Sequence, residues 1–171
     1  MLTSTAFLVS VALGLVVAAT TVVAFVRPAT DVPAHADAVV VLDGSGPRLA
    51  EGVALASAGV APVLVVSTSS TGWLCPRLPP SVTVICFTPD PLSTQGEARF
   101  IGTEAKAAGW HRIVVVSSTP QVSRAEVRVA RCYPGTIDMV GVSPGGFGTW
   151  LHGIAYEWAA TFKALFIQPG C

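Results

Sequence analysis

Two acidic side chains and two arginines are the residues best suited to ligand chemistry, because each follows the end of an apolar run. Asp43 and Arg48 belong to the segment DGSGPRL, Glu97 to STQGEAR and Arg124 to SSTPQVSR. Arginine binds phosphate and carboxylate groups with a planar fork of donors, and a carboxylate can act as a general base. The pattern predicts a polar pocket for a small anionic ligand, with Asp43 and Glu97 as the candidate catalytic residues.

Neutral residues of the same three segments complete the predicted pocket. Hydroxyl and amide side chains supply donors and acceptors, and glycine lets a backbone approach a ligand closely. Besides Arg48, Glu97 and Arg124, the predicted ligand-binding residues are Gly44, Ser45, Gly46, Ser93, Thr94, Ser118 and Gln121.

Two of these segments also have a purely structural interpretation. The glycines after Asp43 suit an ordinary turn from a strand into a helix, and Arg48 suits the solvated first turn of that helix. Thr94 and Glu97 have the spacing of a capping box, in which a hydroxyl and a carboxylate satisfy backbone N–H groups at a helix start. Both interpretations explain the residues without a ligand.

Arg124 lies close to the expected start of its own helix, where Pro120 suits the first position after a hydroxyl N-cap. Helical side chains lean toward the N-terminus, so Arg124 can reach the pocket. A bound anion there would offset the unfavourable interaction of a cation with the positive end of the helix dipole. Arg128 and Arg131 lie further along the helix and are expected on a solvated face.

Several other kinds of site are not indicated. Zinc-type spacing of cysteine or histidine is absent, and the dinucleotide fingerprint lacks its third glycine and its acidic residue, so neither a metal nor NAD is expected. His35, His111 and His152 fall in a linker, before a strand and on the last helix, so no histidine is expected at the pocket. The formal net charge is zero, without a basic patch, and this argues against nucleic acid as a partner.

Alternating strands and helices must position the three polar segments. Continuous β-branched runs predict strands at Ala38–Leu42, Val63–Val66, Val82–Phe87, Ile113–Val116 and Ile137–Val142. Helical patterns cover about Gly46–Ala58, Thr94–Ala108, Pro120–Arg131 and Trp150–Phe166, and Ser67–Ser81 is expected to be a loop. Apolar strands that alternate with helices are typical of a parallel sheet covered on both faces. We predict an α/β, Rossmann-like three-layer fold with a mostly parallel five-stranded sheet, and ligands bind such sheets at the carboxyl ends of the strands.

The start of the chain predicts a transmembrane helix. Residues 1–26 carry no charged side chain, and Phe7–Val26 is almost wholly apolar. About 20 such residues cross the hydrocarbon core, whereas a cleaved signal peptide has a positive start and a core of about 7–15 residues. A cleaved signal peptide and a buried core helix are the alternatives. We predict an uncleaved signal anchor at 1–27, a linker at 28–36 and a soluble domain at 37–171.

Four cysteines in a small domain suit an oxidising compartment. Of the three full pairings, we favour Cys75–Cys86, which closes one local loop, and Cys132–Cys171, which holds the C-terminus. Four buried free thiols are the alternative. Cysteine usage, together with the family resemblance described below, predicts a single-pass plasma-membrane protein with a cytoplasmic N-terminus and an extracytoplasmic domain. Arg27, after the span, weakly favours the reverse orientation by the positive-inside rule.

Four segments in this order resemble the YdcF-like family, a family of domains of unknown function that includes cell-envelope proteins. They are DAVVVLDGSGPRLAEGVAL, DPLSTQGEAR, RIVVVSSTPQVSRAEVRVARC and YEWAATFKALF, and they span most of residues 37–166. The resemblance implies a Rossmann-like domain behind one membrane span, a role in the envelope or in peptidoglycan biogenesis, and S-adenosylmethionine as a ligand to consider. It also implies site roles for Gly44, Arg48, Glu97, Ser118 and Arg124, and an acidic position at Glu157.

The chain departs from the family pattern at two positions. Asp43 stands where relatives usually have glycine, and Gln121 stands where they usually have histidine. Glutamine forms hydrogen bonds but cannot shuttle protons, so this member is expected to bind a ligand without turning it over if that histidine is catalytic.

The leading hypothesis is a membrane-anchored extracytoplasmic domain that binds a small phosphate- or nucleotide-like anion, in cell-envelope or peptidoglycan maintenance. One alternative is a transferase or hydrolase acting on a phosphate-bearing envelope precursor, and another is a non-catalytic structural scaffold. The sequence identifies no protein partner.

Overall fold

A five-stranded, wholly parallel sheet forms the centre of the protein. The computed structural model describes residues 2–68 and 75–171. The strands are β1 (Ala38–Val41), β2 (Val63–Ser67), β3 (Thr83–Phe87), β4 (Arg112–Ser118) and β5 (Thr136–Val142), in the order β3-β2-β1-β4-β5. The predicted α/β fold class is therefore confirmed.

Helices cover both faces of this sheet. The helices are α1 (Leu2–Thr21), α2 (Gly46–Ser57), α3 (Thr94–Ala108), α4 (Val122–Cys132) and α5 (Phe147–Phe162). Alternate residues of β1 point to opposite faces: Val39 and Val41 pack in the layer that holds α2, while Val40 packs in the layer that holds α3 and α4. Both layers are apolar, which explains why the strands are continuous apolar runs.

Three short helical turns adjoin these helices. A π-helical turn, Val22–Val26, follows α1, and another, Lys163–Ile167, follows α5. A 3₁₀ turn, Thr119–Gln121, separates β4 from α4 and contains the proline predicted at a helix start. The last helix begins at Phe147 rather than at Trp150, because the Gly146 carbonyl accepts hydrogen bonds from the N–H groups of Thr149 and Trp150.

The strand register brings the polar segments to one edge of the sheet. Val41 pairs with both Val66 of β2 and Val116 of β4, so the three strands end at the same level. The helices that follow β1 and β4 lie on opposite faces, which makes the gap between these strands the topological switch point. A ligand site is expected at the carboxyl ends of β1 and β4.

The N-terminal segment is apolar and lies mostly outside the body. Ser4–Val26, 23 residues long, is the one helical stretch of the described residues that is long and apolar enough to cross a membrane. The linker that follows runs along β5: the Asp31 N–H donates to the Met139 carbonyl, and the Asp31 carboxylate accepts from the Met139 N–H, both at 2.8 Å. These contacts cover the edge strand and fix the linker to the body.

Both predicted disulfides are present. Cys75 is bonded to Cys86 and Cys132 to Cys171, with Cα–Cα distances of 5.9 and 5.1 Å. The alternative of four free thiols is wrong. The predicted loop Ser67–Ser81 begins with the last residue of β2, and its residues 69–74 lie outside the described residues.

Candidate functional site

A cavity of about 690 Å³ opens at the carboxyl edge of the sheet. This volume lies within the usual range for small-molecule sites, roughly 300–1,000 Å³. Asp43 and nearly all the predicted ligand-binding residues line the cavity, namely Ser45, Gly46, Arg48, Ser93, Thr94, Glu97, Ser118, Gln121 and Arg124. The structure therefore brings together residues from all three polar segments.

Gly44 is the predicted ligand-binding residue that does not line the cavity. It is buried, its N–H donates to the Ser67 carbonyl at 2.6 Å, and a Cβ at this position would collide with the Val66 side chain. The absence of a side chain at Gly44 thus lets the turn after β1 pack closely against β2.

The turn from β1 into α2 holds an ion pair at the cavity wall. Asp43 has a φ of 45°, a left-handed conformation that glycine adopts freely and aspartate tolerates better than most residues. Arg48 donates from Nη2 to Asp43 Oδ2 at 2.6 Å and to Ser45 Oγ at 3.2 Å. The Arg48 side chain is 18% exposed, so it is only partly solvated and its position is fixed by the ion pair.

Among the described residues, no side chain caps the first turn of α2. Ser45 is the N-cap residue but makes no capping hydrogen bond, and Pro47 follows in the first turn. Ser45, Gly46, Pro47 and Arg48 all face the cavity. Unpaired N–H groups at a helix start favour an anion, so this turn presents donors and a guanidinium to the same space.

Glu97 lines the cavity and is 4% exposed. Its Oε1 accepts a hydrogen bond from the Asp43 N–H at 2.8 Å, which ties α3 to the turn after β1. Burial raises the pKa of Glu97, although the hydroxyl of Ser67 and the N–H of Asp43 partly oppose that shift. A buried carboxyl with a raised pKa in a cleft is typical of groups that transfer protons.

The predicted capping box at Thr94 and Glu97 is wrong by one residue. Ser93 is the N-cap of α3, and its hydroxyl accepts the Gly96 N–H at 3.4 Å. This shift turns both of the other side chains inward. Glu97 binds the turn after β1, and the Thr94 hydroxyl accepts from Gln121 Nε2 at 3.1 Å.

Arg124 forms a buried, two-point ion pair with Glu157 of α5. Its Nε and Nη2 donate to the two carboxylate oxygens at 2.6 and 2.8 Å, and its Nη1 donates to the Thr94 hydroxyl at 2.8 Å. Burial alone lowers the pKa of Arg124, but the Glu157 carboxylate outweighs that effect, and the net shift is upward. Arg124 lines the cavity as predicted, with its charge already neutralised by a protein group.

Arg128 and Arg131 do not form the solvated face predicted for them. Arg128 is 5% exposed and donates to the Gln168 carbonyl, and Arg131 donates to the carbonyls of Ala164 and Gln168. Carbonyls at a helix end lack partners within the helix, and cations there also interact favourably with the helix dipole. The two arginines therefore fix the end of the last helix.

Sequence reasoning missed the contribution of α5 to the site. The expectation that no histidine reaches the pocket is wrong, because His152 lines the cavity together with Tyr156 and Glu157. These residues lie on one flank of an amphipathic helix, and that flank could not be assigned before the position of the helix was known. For Glu157 the sequence did contain a signal, because the resemblance to the YdcF-like family implies an acidic residue at this position of the closing segment YEWAATFKALF.

Ser143, in the loop after β5, is a second omission. It lines the cavity and lies in GVSPG, which has the Gly-x-Ser-x-Gly spacing of a nucleophile elbow. That elbow needs a strained turn at the serine. Among the non-glycine residues that the structure describes, only Asp43 has a positive φ, so Ser143 does not have this strained conformation. The Ser143 hydroxyl accepts from the Trp150 indole at 3.3 Å. This geometry does not support a nucleophilic role for Ser143.

The charges of the cavity are nearly balanced. Arg48 and Arg124 are paired with Asp43 and Glu157, Glu97 is buried, and His152 also lines the cavity. The described residues contain no group of three or more histidine, cysteine, aspartate or glutamate side chains that could hold a metal ion.

Comparison of the chain with family models, with curated proteins and with solved structures finds no match in any of the three. The resemblance to the YdcF-like family stays a prediction based on the four motifs.

Proposed function

We propose that this chain is a membrane-anchored, extracytoplasmic protein whose cavity binds a small ligand with a phosphate-like anionic group, in maintenance of the cell envelope. The observation that carries the proposal is the uncapped first turn of α2 beside Arg48. Within the described chain, the Nε and Nη1 groups of Arg48 have no hydrogen-bond acceptor, so they can bind the same anion as the backbone N–H groups of Gly46 and Arg48; Pro47 has no N–H.

The other polar groups suit the remainder of such a ligand. Ser118 donates to Gln121 at 3.4 Å, and Gln121 in turn donates to Thr94, so the wall near α4 is an ordered set of neutral groups. Hydroxyl and amide groups both donate and accept hydrogen bonds, so they can bind a sugar or a base as well as a phosphate ester. The envelope role is proposed from the membrane span, the disulfides and the resemblance, which also puts S-adenosylmethionine among the ligands to test.

A transferase or hydrolase acting on a phosphate-bearing precursor is the second candidate. The raised pKa of buried Glu97 favours it, because a general acid or base works best with a pKa near the ambient pH. Asp43 is the weaker choice of base, since it is exposed and paired with Arg48. Glu97→Gln should abolish turnover of a precursor and leave its binding intact.

Thermal unfolding of the full chain in detergent tests the binding proposal. The panel comprises inorganic phosphate, pyrophosphate, nucleotides, S-adenosylmethionine and lipid-carrier phosphates. A compound at 100 times its dissociation constant adds about 2.7 kcal/mol of stability, which gives a clear rise in the unfolding temperature. We expect phosphate-bearing compounds to raise it.

The matched variants are Arg48→Ala and Arg77→Ala. Arg77 is an exposed arginine that does not line the cavity. Stabilisation should be lost in Arg48→Ala and kept in Arg77→Ala. A panel without any stabilising compound would overturn the proposal in favour of a scaffold, and an equal response of both variants would show that the anion binds elsewhere.

A further inference from the structure

One face of α5 and of the turn after it is apolar and exposed. Phe147, Leu151, Trp158 and Phe162 recur at spacings of four, seven and four residues, which places them on one side of a helix. Phe147 is 84% exposed, Leu151 60% and Phe162 58%, and Phe166 of the following turn is 70% exposed. Soluble surfaces rarely expose so many large apolar side chains together, so this α5 face needs a partner.

The α5 face adjoins the end of the membrane-spanning helix. The Trp158 indole N–H donates to the Thr21 hydroxyl at 3.1 Å, and its ring packs edge-on against Phe25 with centroids 5.5 Å apart. Phe25 is buried, while its neighbours Val22 and Val23 are exposed and apolar. The apolar surface therefore continues from the span onto α5.

The body is held against the span by further contacts. The Ser123 hydroxyl donates to the Ala24 carbonyl at 2.9 Å, and Asp31 of the linker pairs with Met139 of β5. The end of the span thus has a fixed position relative to α4, α5 and the sheet. If Ser4–Val26 crosses a bilayer, these contacts therefore fix which side of the body faces the membrane surface.

We propose that the α5 face lies in the interface of the bilayer that α1 crosses. The 23 residues of Ser4–Val26 extend about 34 Å at 1.5 Å per residue, close to the roughly 30 Å of the hydrocarbon core. With the hydrocarbon core centred on this stretch, Phe25 lies at the edge of the core and Thr21 lies one turn inside it. Trp158 contacts both residues and so lies near the headgroup level, where tryptophan is enriched in membrane proteins.

The charge distribution of α5 fits the same position. Between residues 147 and 167 the charged side chains are Glu157, which is turned inward to Arg124, and Lys163. Lys163 is exposed, and its long side chain can extend to the headgroups. No acidic side chain is therefore exposed on this helix to oppose contact of its apolar face with the acyl boundary of a bilayer.

This inference concerns the placement of the cavity and does not depend on the identity of its ligand. His152 and Tyr156 line the cavity from the other flank of the same helix. One side of α5 would then contact lipid while the other forms a wall of the site. The cavity is thereby kept at the membrane surface.

Spin labels on the full chain in nanodiscs test the inference. The native cysteines are all in disulfides, so Leu151→Cys and Phe162→Cys each introduce a single free thiol for a nitroxide. Lys106→Cys, at an exposed position near the end of α3, is the control. We expect the ratio of oxygen to nickel-chelate collision to be severalfold higher at 151 and 162 than at 106, because oxygen concentrates in lipid and the chelate stays in water.

Discs that contain one chain separate lipid from a second copy of the protein. A ratio at 151 and 162 equal to that at 106 in such discs would overturn the proposal. So would shielding that appears only in discs loaded with two chains, because a second copy would then cover the face. Thermal unfolding of each labelled chain checks that both substitutions, at exposed positions, leave the fold intact.

Discussion

Two arginines at the cavity illustrate how surroundings decide the role of one side chain. Arg48 pairs with Asp43, whose side chain is 55% exposed, and keeps donors free for a ligand, whereas Arg124 has every nitrogen of its guanidinium bonded to Glu157 or Thr94. The sequence placed both arginines at the carboxyl edge correctly. It could not show that Glu157, 33 residues further along, neutralises Arg124.

Arg124→Ala should lower the free energy of unfolding by about 3–5 kcal/mol, because it leaves the Glu157 carboxylate buried without a partner. Denaturant unfolding of the detergent-solubilised chain measures this change. Arg77→Ala, on the surface, should stay within about 0.5 kcal/mol. Equal stability of the two variants would contradict the buried ion pair.

Glu97 should make the protein more stable in acid. Burial raises its pKa from the ordinary 4.5, so the folded chain holds this proton more tightly than the unfolded chain does. Its contribution is then full below pH 4.5 and is lost as the pH rises through the folded pKa. Glu97→Gln should flatten the fall of the unfolding temperature above pH 4.5, and an unchanged slope would show that Glu97 is not the cause.

Asp37 provides a contrast in a different pH window. The N–H groups of Arg112 and His111 lower its pKa from 3.8, so its contribution to stability is present above pH 3.8 and is lost at lower pH. Asp37→Asn should lower the unfolding temperature above pH 3.8 and flatten its fall at lower pH, as thermal unfolding across that range would measure. The pH dependence of stability above pH 4.5 therefore tests Glu97, and the dependence below pH 3.8 tests Asp37.

At the scale of elements, continuous apolar runs were sufficient to find all five strands, and helical patterns between them were sufficient to find α2 to α5. It failed where distant contacts choose between local alternatives. Ser93 and Thr94 both belong to the residue types preferred at an N-cap. Thr94 is engaged by Gln121 and Arg124, and Ser93 forms the cap. Arg128 and Arg131 were predicted to be solvated because their acceptors, the carbonyls of Ala164 and Gln168, are distant in sequence.

The disulfides should differ in their effect on stability. Cys132 and Cys171 are 39 residues apart, against 11 for Cys75 and Cys86. Chain entropy then predicts losses of about 4 and about 2–3 kcal/mol for the paired serine variants, measured by unfolding without reductant. The larger loss is expected for the pair that holds the C-terminus to α4.

A chain that lacks all four cysteines is the control and should not respond to reductant. Peptide mapping without reduction should recover the two bonded pairs. A Cys75–Cys132 peptide would contradict the arrangement of the fold.

At the scale of the whole molecule, the sequence indicates a helix long and apolar enough to span a membrane but leaves its orientation to weak signals. Arg27 favours a cytoplasmic body, and the two disulfides favour an oxidising compartment outside it. The contact of Trp158 with Thr21 joins residues 137 positions apart, so no local pattern could show that α5 adjoins the span.

We expect the body to lie outside the cytoplasm. Alkaline phosphatase fused after Cys171 should be active, because it needs an oxidising compartment, and a fluorescent reporter that folds only in the cytosol should stay dark. The reverse result would contradict the proposed location and the role of the disulfides in the cell.

Titration of the phosphate compound that gives the largest thermal shift tests the central claim most directly. Calorimetry compares the full chain with its Arg48→Ala, Arg48→Lys and Arg77→Ala variants. A hydrogen bond to a charged group contributes about 1.5–3 kcal/mol, so Arg48→Ala should weaken binding by about 10- to 150-fold. Lysine should restore part of the loss, because it keeps the charge without the planar fork, and Arg77→Ala should bind like the unaltered chain. Equal affinity of Arg48→Ala and Arg77→Ala would contradict an anion site at the start of α2.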